Sequence, residues 1–231
     1  MMPFIKKLSI KSLLFFLILF VSGTAIAQEK INQLDAQGRR TGVWKKYYDN
    51  KNIRYEGQFV AGKEIGVFNY YGELNSEHPI IIKTFSEDND SAKVSYFYED
   101  GKLESEGSMS GINRIGKWIY YNTDGKTIVS EENYENGLLN GIVTTYFSAG
   151  KMAETAMYKD GKLHGNVLRY SSEGILLDDL QYENGKLHGP AKYYNMAGKL
   201  VRKGNYENDQ KVGNWEYFEN GEPISAKKIK G

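Results

Sequence analysis

Residues 182–194 read YENGKLHGPAKYY and residues 158–170 read YKDGKLHGNVLRY, so a tyrosine, a Gly-Lys-Leu-His-Gly run and a closing tyrosine recur 24 residues apart. Setting the glycine of His-Gly as position zero gives equivalents at Gly42, Gly66, Gly116, Gly141, Gly165, Gly189 and Gly213, in steps of 24, 50, 25, 24, 24 and 24. The long step is two periods, and a unit placed at Ser91 fills it, making eight units. Five residues after zero stands a ring in every unit: Tyr47, Tyr71, Tyr96, Tyr121, Tyr146, Tyr170, Tyr194 and Phe218. Two residues after zero come Trp44, Phe68, Lys93, Trp118, Val143, Val167, Ala191 and Trp215. Eleven after zero the chain is apolar at Ile53, Met152, Leu176, Leu200 and Ile224, with Leu103 and Ile128 one residue late and Glu77 breaking the pattern.

A fixed period in the twenties with two apolar segments, separated by glycine-bearing turns, signals an array whose unit is one supersecondary element. Asn136-Gly137, Asp160-Gly161 and Asn184-Gly185 suit hairpin turns that need positive φ, and Gly125, Gly150, Gly174 and Gly198 mark a second turn per period. Each unit is therefore a β-hairpin with strands of about eight residues. The fold class is all-β: tandem hairpins forming one elongated antiparallel sheet of about sixteen strands, roughly 75 Å across if flat. The His-Gly pair reads as turn punctuation. The stretch from Glu73 to Asp90 is the least regular and reads as a swollen loop or a strand with altered pairing.

Side chains alternate along a strand, so positions two and four share one face and position five takes the other. The unvarying position-five column is the expected core. The opposite face, with Trp44, Phe68, Tyr70, Trp118, Tyr120, Tyr193, Trp215 and Tyr217, is the candidate partner-binding surface, since tyrosine and tryptophan are enriched at interfaces.

The first 27 residues differ in kind. Lys6, Lys7 and Lys11 precede LLFFLILFV (13–21), and Ala25-Ile26-Ala27 closes the segment, the pattern of a secretory signal peptide cleaved after Ala27. Residues 28–34 read as a linker, 35–222 as the array and 223–231 as a polar, lysine-bearing tail. Removal of the leader leaves 27 basic and 29 acidic side chains, a balance that makes nucleic acid an unexpected partner. With no cysteine, packing alone must hold an exported fold, which suits a periplasmic, surface or secreted bacterial protein.

The segments Y158-KDGKLHG-165, Y182-ENGKLHG-189, Y134-ENGLLNG-141 and Y206-ENDQKVG-213 resemble the MORN repeat, and more closely its bacterial variant grouped with the YwqK-type antitoxin family. The likeness covers roughly residues 35–222. It implies tandem hairpins in one sheet and a role in protein interaction, sometimes with membrane or envelope association, and it carries an antitoxin or immunity label.

The residues themselves do not point to catalysis. His164 and His188 precede their glycines, but the same position holds Thr41, Ile65, Asp90, Ile115, Asn140 and Val212 elsewhere, so no metal is expected there. Glu131-Glu132 and Asp178-Asp179 are adjacent on strands and face opposite ways, a poor acid and base pair. Ser91 and Ser171-Ser172 lack a histidine and carboxylate at recognisable spacing. The expectation is a non-enzymatic exported protein with no cofactor that binds another protein. A glycan- or lipid-binding surface module is the alternative.

Overall fold

Asn136, Asp160 and Asn184 take φ of 50° to 52° and the glycine after each takes 77° to 86°. Two successive residues with positive φ twist a chain reversal in the sense that antiparallel strands require. The second turn type is wider: the glycine N–H donates back to the carbonyl three residues earlier, as from Gly150 to Phe147 and from Gly198 to Asn195, at 2.8 Å.

The computed structural model describes residues 30–86 and 91–224. The expected signal peptide and residues 225–231 of the expected tail lie outside the described residues. The strands are β1 (Gln33–Leu34), β2 (Arg40–Tyr47), β3 (Ile53–Val60), β4 (Lys63–Tyr71), β5 (Pro79–Phe85), β6 (Ser91–Phe97), β7 (Leu103–Ser110), β8 (Asn113–Tyr121) and β9 (Ile128–Glu135). They continue as β10 (Leu138–Leu139), β11 (Gly141–Tyr146), β12 (Met152–Lys159), β13 (Lys162–Tyr170), β14 (Leu176–Glu183), β15 (Lys186–Tyr194), β16 (Leu200–Glu207), β17 (Gln210–Glu219) and β18 (Glu222–Pro223). Each long strand pairs antiparallel with the long strands before and after it, β10 and β11 both lying against β9, in one long open sheet of hairpins. Among the described residues there are fifteen long strands rather than sixteen, because the last unit has only two-residue β18 as its return. At the other end β1 draws part of the expected linker into the sheet.

The position-zero glycine is inside a strand, not in a turn. On β13 the register against β12 runs Tyr158↔Leu163 and then Ala156↔Val167, so His164, Gly165 and Asn166 bulge opposite Met157. Gly165 has φ +111, and a Cβ there would meet the Met157 side chain at 3.1 Å, two reasons for glycine. The third unit is a second correction. Val94 pairs with Gly107 and Phe97 with Leu103, as Trp44 pairs with Gly57 and Tyr47 with Ile53, so position zero there is Ala92 rather than Ser91. With alanine at zero the β5–β6 ladder runs without a bulge. Glycine spacing could not mark that unit.

The core is on the opposite face from the expected one. Phe68 and Trp118 are 0% exposed and Val94, Val167 and Ala191 are at 1%, all at position two. Lys93, placed at position two by the Ser91 register, is exposed, and Val94 takes the slot. None of the position-five rings is buried, and Tyr47 is 50% exposed. The physical reason lies across the strand boundary. Behind three of the four large rings at position two sits a glycine of the preceding strand: Gly57 behind Phe68, Gly107 behind Trp118 and Gly204 behind Trp215. A Cβ at any of the three would lie closer than 3.0 Å to the ring. Where position two is small, the neighbour grows: Ala156 pairs with Val167 and Leu180 with Ala191. The row keeps a near-constant volume by exchanging size between strands, so rings lie flat on one face of a single-layer sheet and bury there.

Three of the position-five tyrosines have another role. Tyr71, Tyr121 and Tyr146 donate to Glu56, Glu106 and Glu131 of the preceding unit at 3.0, 2.7 and 3.1 Å. Lys45 and Lys117 pair with Glu56 and Glu131 at 3.0 and 2.7 Å. This outer face is a polar ladder. The Lys45 ammonium holds the Glu56 carboxyl below its ordinary range, and Lys117 does the same for Glu131. Burial, and then the Glu106 hydrogen bond, push Tyr121 up to about 12.

Candidate interaction face

Three parallel rows run along the buried face. The position-two row is the core just described. On one side lies position four with its cross-strand partners, including Tyr70 opposite Tyr55, Tyr120 opposite Ser130 and Tyr193 opposite Arg202. On the other side lie Phe59, Phe85, Met109, Tyr134, Tyr158, Tyr182 and Tyr206, and with them the residue two before each zero. The tyrosines of the YENG-type segments belong to this third row.

The structure divides the eight sequence-selected residues. Phe68 and Trp118 offer no surface and are core. Trp44, Tyr70, Tyr120, Tyr193, Trp215 and Tyr217 are half-buried on the same face. Phe68 stacks on Tyr70 at 6.2 Å between centroids, Trp118 lies 6.4 Å from Tyr120, and Tyr193 lies 6.3 Å from Trp215. Position-two rings therefore form the floor on which position-four tyrosines stand.

Cations roof the tryptophans, which sequence reasoning missed. Arg40 stands 4.9 Å over Trp44, Arg114 4.7 Å over Trp118 and Lys211 4.4 Å over Trp215. Each cation is two residues before its zero glycine. In the fifth, sixth and seventh units, with Val143, Val167 and Ala191 at position two, that place holds Leu139, Leu163 and Leu187. A guanidinium over an indole face gains from the ring quadrupole and shields the ring from water. The covariation of cation with tryptophan was legible in the sequence.

The most connected part of the face is in the fourth unit. Arg114 Nη1 donates to Tyr120 Oη at 2.7 Å and to Tyr134 Oη at 3.3 Å, and the two hydroxyls lie 3.3 Å apart. Tyr134 donates to Glu132 at 2.5 Å, and Ser130 Oγ donates to the same carboxylate at 3.2 Å. Burial first, and then the Tyr134 bond, push the Tyr120 phenol far above its ordinary range, so it stays a neutral hydrogen-bonding group. A smaller version recurs in the seventh unit, where Tyr193 and Tyr206 hydroxyls are 3.2 Å apart and Arg202 stands 4.0 Å over Tyr193. Between them, Arg169 reaches Glu154 at 2.6 Å and Asp178 at 3.6 Å. These groups can bind polar and aromatic surfaces. Among the described residues no three His, Cys, Asp or Glu side chains are grouped to hold a metal ion.

The irregular region resolves as both expected alternatives together. β5 is a full strand, and the turn before it is longer than its counterparts, Tyr71 pairing with Pro79 where Tyr47 pairs with Ile53. The added length opens a cleft of about 570 Å³ bordered by Glu73, Leu74, His78, Phe97, Tyr98 and Glu104.

Four segments match the family model described as the MORN repeat variant: residues 40–61, 92–110, 139–160 and 187–208. They fall on alternate hairpins, β2–β3, β6–β7, β10–β12 and β15–β16. These repeats are thus similar to that variant, whose kind generally mediates protein or membrane interactions. Curated proteins give no match to the chain.

Proposed function

We propose that the chain is an exported, non-catalytic interaction module that holds a partner protein along the position-four row of its aromatic face, in the manner of an immunity or antitoxin-like protein. One observation carries this reading. Tyr70, Tyr120, Tyr193 and Tyr217 stand half-exposed above a floor already packed without any partner, and Arg114 and Arg202 fix the orientation of Tyr120 and Tyr193. Tyrosine and arginine held in place lose little entropy on binding and are the residue types that dominate interface energetics.

The test is position-specific photo-crosslinking in the native cell envelope. Benzoylphenylalanine replaces Tyr120 or Tyr193 on the row, or Val67 or Ile142 on the outer face, where both are about half exposed. The expected result is one common protein adduct from Tyr120 and Tyr193 and none from Val67 or Ile142. Adducts from the outer face alone would place the partner on the position-five ladder and overturn the assignment.

A further inference from the structure

In the third unit the outer face changes character. Tyr71, Tyr121 and Tyr146 donate to Glu56, Glu106 and Glu131, carboxylates that the ladder pairs with Asn69, Ile119 and Thr144. The equivalent places in the third unit hold Phe97 and Ile82, the latter opposite Ser95, so hydroxyl and carboxylate are exchanged together for apolar groups. Strand alternation puts Ile80, Phe97 and Glu104 on this same face, where they border the cleft of about 570 Å³ opened by the long turn before β5. That turn is tied down on both sides. The Asn50 and Asn52 side chains both donate to the Glu73 carbonyl, at 2.8 and 2.9 Å, and Glu77 N–H donates to Asn75 Oδ1 at 3.0 Å. The His78 ring packs so closely on the next turn that a Cβ at Gly101 would lie 3.3 Å from it. In that next turn the Tyr98 hydroxyl donates to the Tyr121 carbonyl at 3.1 Å.

The cleft has two chemistries. Ile80 and Phe97 are half-buried and give it an apolar floor, while Glu73, Glu99 and Glu104 are exposed at its rim. Among the described residues no cation pairs with any of these three carboxylates, and Lys102, in the same turn as Glu99, is taken by Asp100 at 2.6 Å. A concavity of this size with an apolar floor and a few charged groups has the usual form of a ligand site. Uncompensated negative charge around an apolar floor complements a group that is cationic at its tip and aliphatic along its stem. Leu74 stands beside the cleft 95% exposed. A free amine leaves that leucine in water, whereas a second residue of a polypeptide covers it. We propose that the cleft seats a lysine or arginine side chain of a partner polypeptide, with its stem on Ile80 and Phe97, its charge among Glu73, Glu99 and Glu104, and an apolar neighbour against Leu74. The cleft is on the opposite face from the position-four row, so either assignment can fail alone.

The test follows backbone amide shifts of the full mature chain by heteronuclear NMR during titration with the peptide acetyl-Leu-Arg-Leu-amide. Saturable shifts centred on Glu73, Leu74, Glu99 and Glu104 are expected, and the same peptide with glutamine in place of arginine should bind about tenfold more weakly. Glu99→Gln combined with Glu104→Gln should weaken the arginine peptide by about the same factor. Both side chains are exposed, so the variant should fold, which an unchanged melting temperature checks. Leu74→Ser should weaken the peptide and leave the weaker binding of the free amine agmatine unchanged. Equal binding of the arginine and glutamine peptides overturns the proposal, as do shifts spread equally over Glu56 and Glu131 or the absence of saturable shifts. Agmatine binding as tightly as the peptide, in Leu74→Ser as in the unaltered chain, makes a small amine the occupant and overturns it. Cleft shifts that grow with protein concentration without peptide, and vanish on deletion of residues 225–231, make the lysine-bearing tail of a second copy the occupant and overturn it too.

Discussion

Exchanging size between neighbouring strands of the core row is a perturbation whose outcome follows from the packing. Gly107→Ala drives a Cβ into the Trp118 indole, which Arg114, Tyr96 and Tyr120 hold from the other sides. With the ring unable to lift, the cost falls in the overpacking range of about 1–3 kcal/mol. Trp118→Val empties a fully buried site and costs about 2–4 kcal/mol. The double variant, however, recreates the Ala156 and Val167 pair found two units on, where the same backbone packs an alanine under a valine. It should therefore be more stable than the sum of single costs by about 2 kcal/mol, a coupling typical of residues in direct contact. Adding Arg114→Leu, to match Leu163 beside Val167, should recover more. Urea unfolding followed by far-ultraviolet circular dichroism measures all four variants without relying on the tryptophan signal. Single costs that add to within about 0.5 kcal/mol would refute reciprocal packing across the row.

Tyr146→Phe removes a hydroxyl bonded to Glu131 on the half-open outer face, and Tyr146→Ala removes a ring that is itself only half-buried. Both should cost less than about 1.5 kcal/mol in the same unfolding assay, well under Trp118→Ala at about 3–5. The carboxyls of Glu56 and Glu131 sit below their ordinary value of 4.5 when folded, so the stability they add is present above that pH and is lost as pH falls through the depressed folded values. These pairs are partly solvated and worth about 0.5 kcal/mol each, so Glu131→Gln should lower stability slightly at pH 7 and flatten the acid decline below about pH 4.5. Deleting residues 165–188 removes one full period and should leave a cooperatively folded shorter sheet, whereas deleting 165–176 removes a strand's worth and should not. Equal melting behaviour of the two deletions counts against the hairpin register.

Much of the architecture was legible because turn chemistry and period are local. Asn184-Gly185 and Gly198 fix two reversals per unit, and a spacing of 24 residues leaves two strands of about eight between them. The buried face was not legible from the most regular column. Tyr71, Tyr121 and Tyr146 each donate a hydroxyl bond to a carboxylate one unit back, and constancy of the column alone does not separate such a role from burial. The signal that does separate them is pairwise: Gly57, Gly107 and Gly204 each precede a large ring by 11 residues, while Ala156 and Leu180 precede Val167 and Ala191 by the same distance. A second pairwise signal, Arg40, Arg114 and Lys211 four residues before Trp44, Trp118 and Trp215, locates the cations over the indoles. The third unit was misplaced by one residue because Ala92 replaces the bulge glycine and the ladder there runs straight.

The assignment of faces decides which residues a partner can reach, and the absence of native cysteine makes it directly measurable. Single cysteines at Val143 and Val167 on the core row, and at Tyr47 and Tyr146 on the outer column, are introduced one at a time and labelled with a thiol reagent under native conditions. The account predicts fast modification at Tyr47 and Tyr146, and modification at Val143 and Val167 only at the rate at which the sheet locally opens. Protection at Tyr47 and Tyr146 with rapid labelling at Val143 and Val167 would contradict it and return the position-five column to the core.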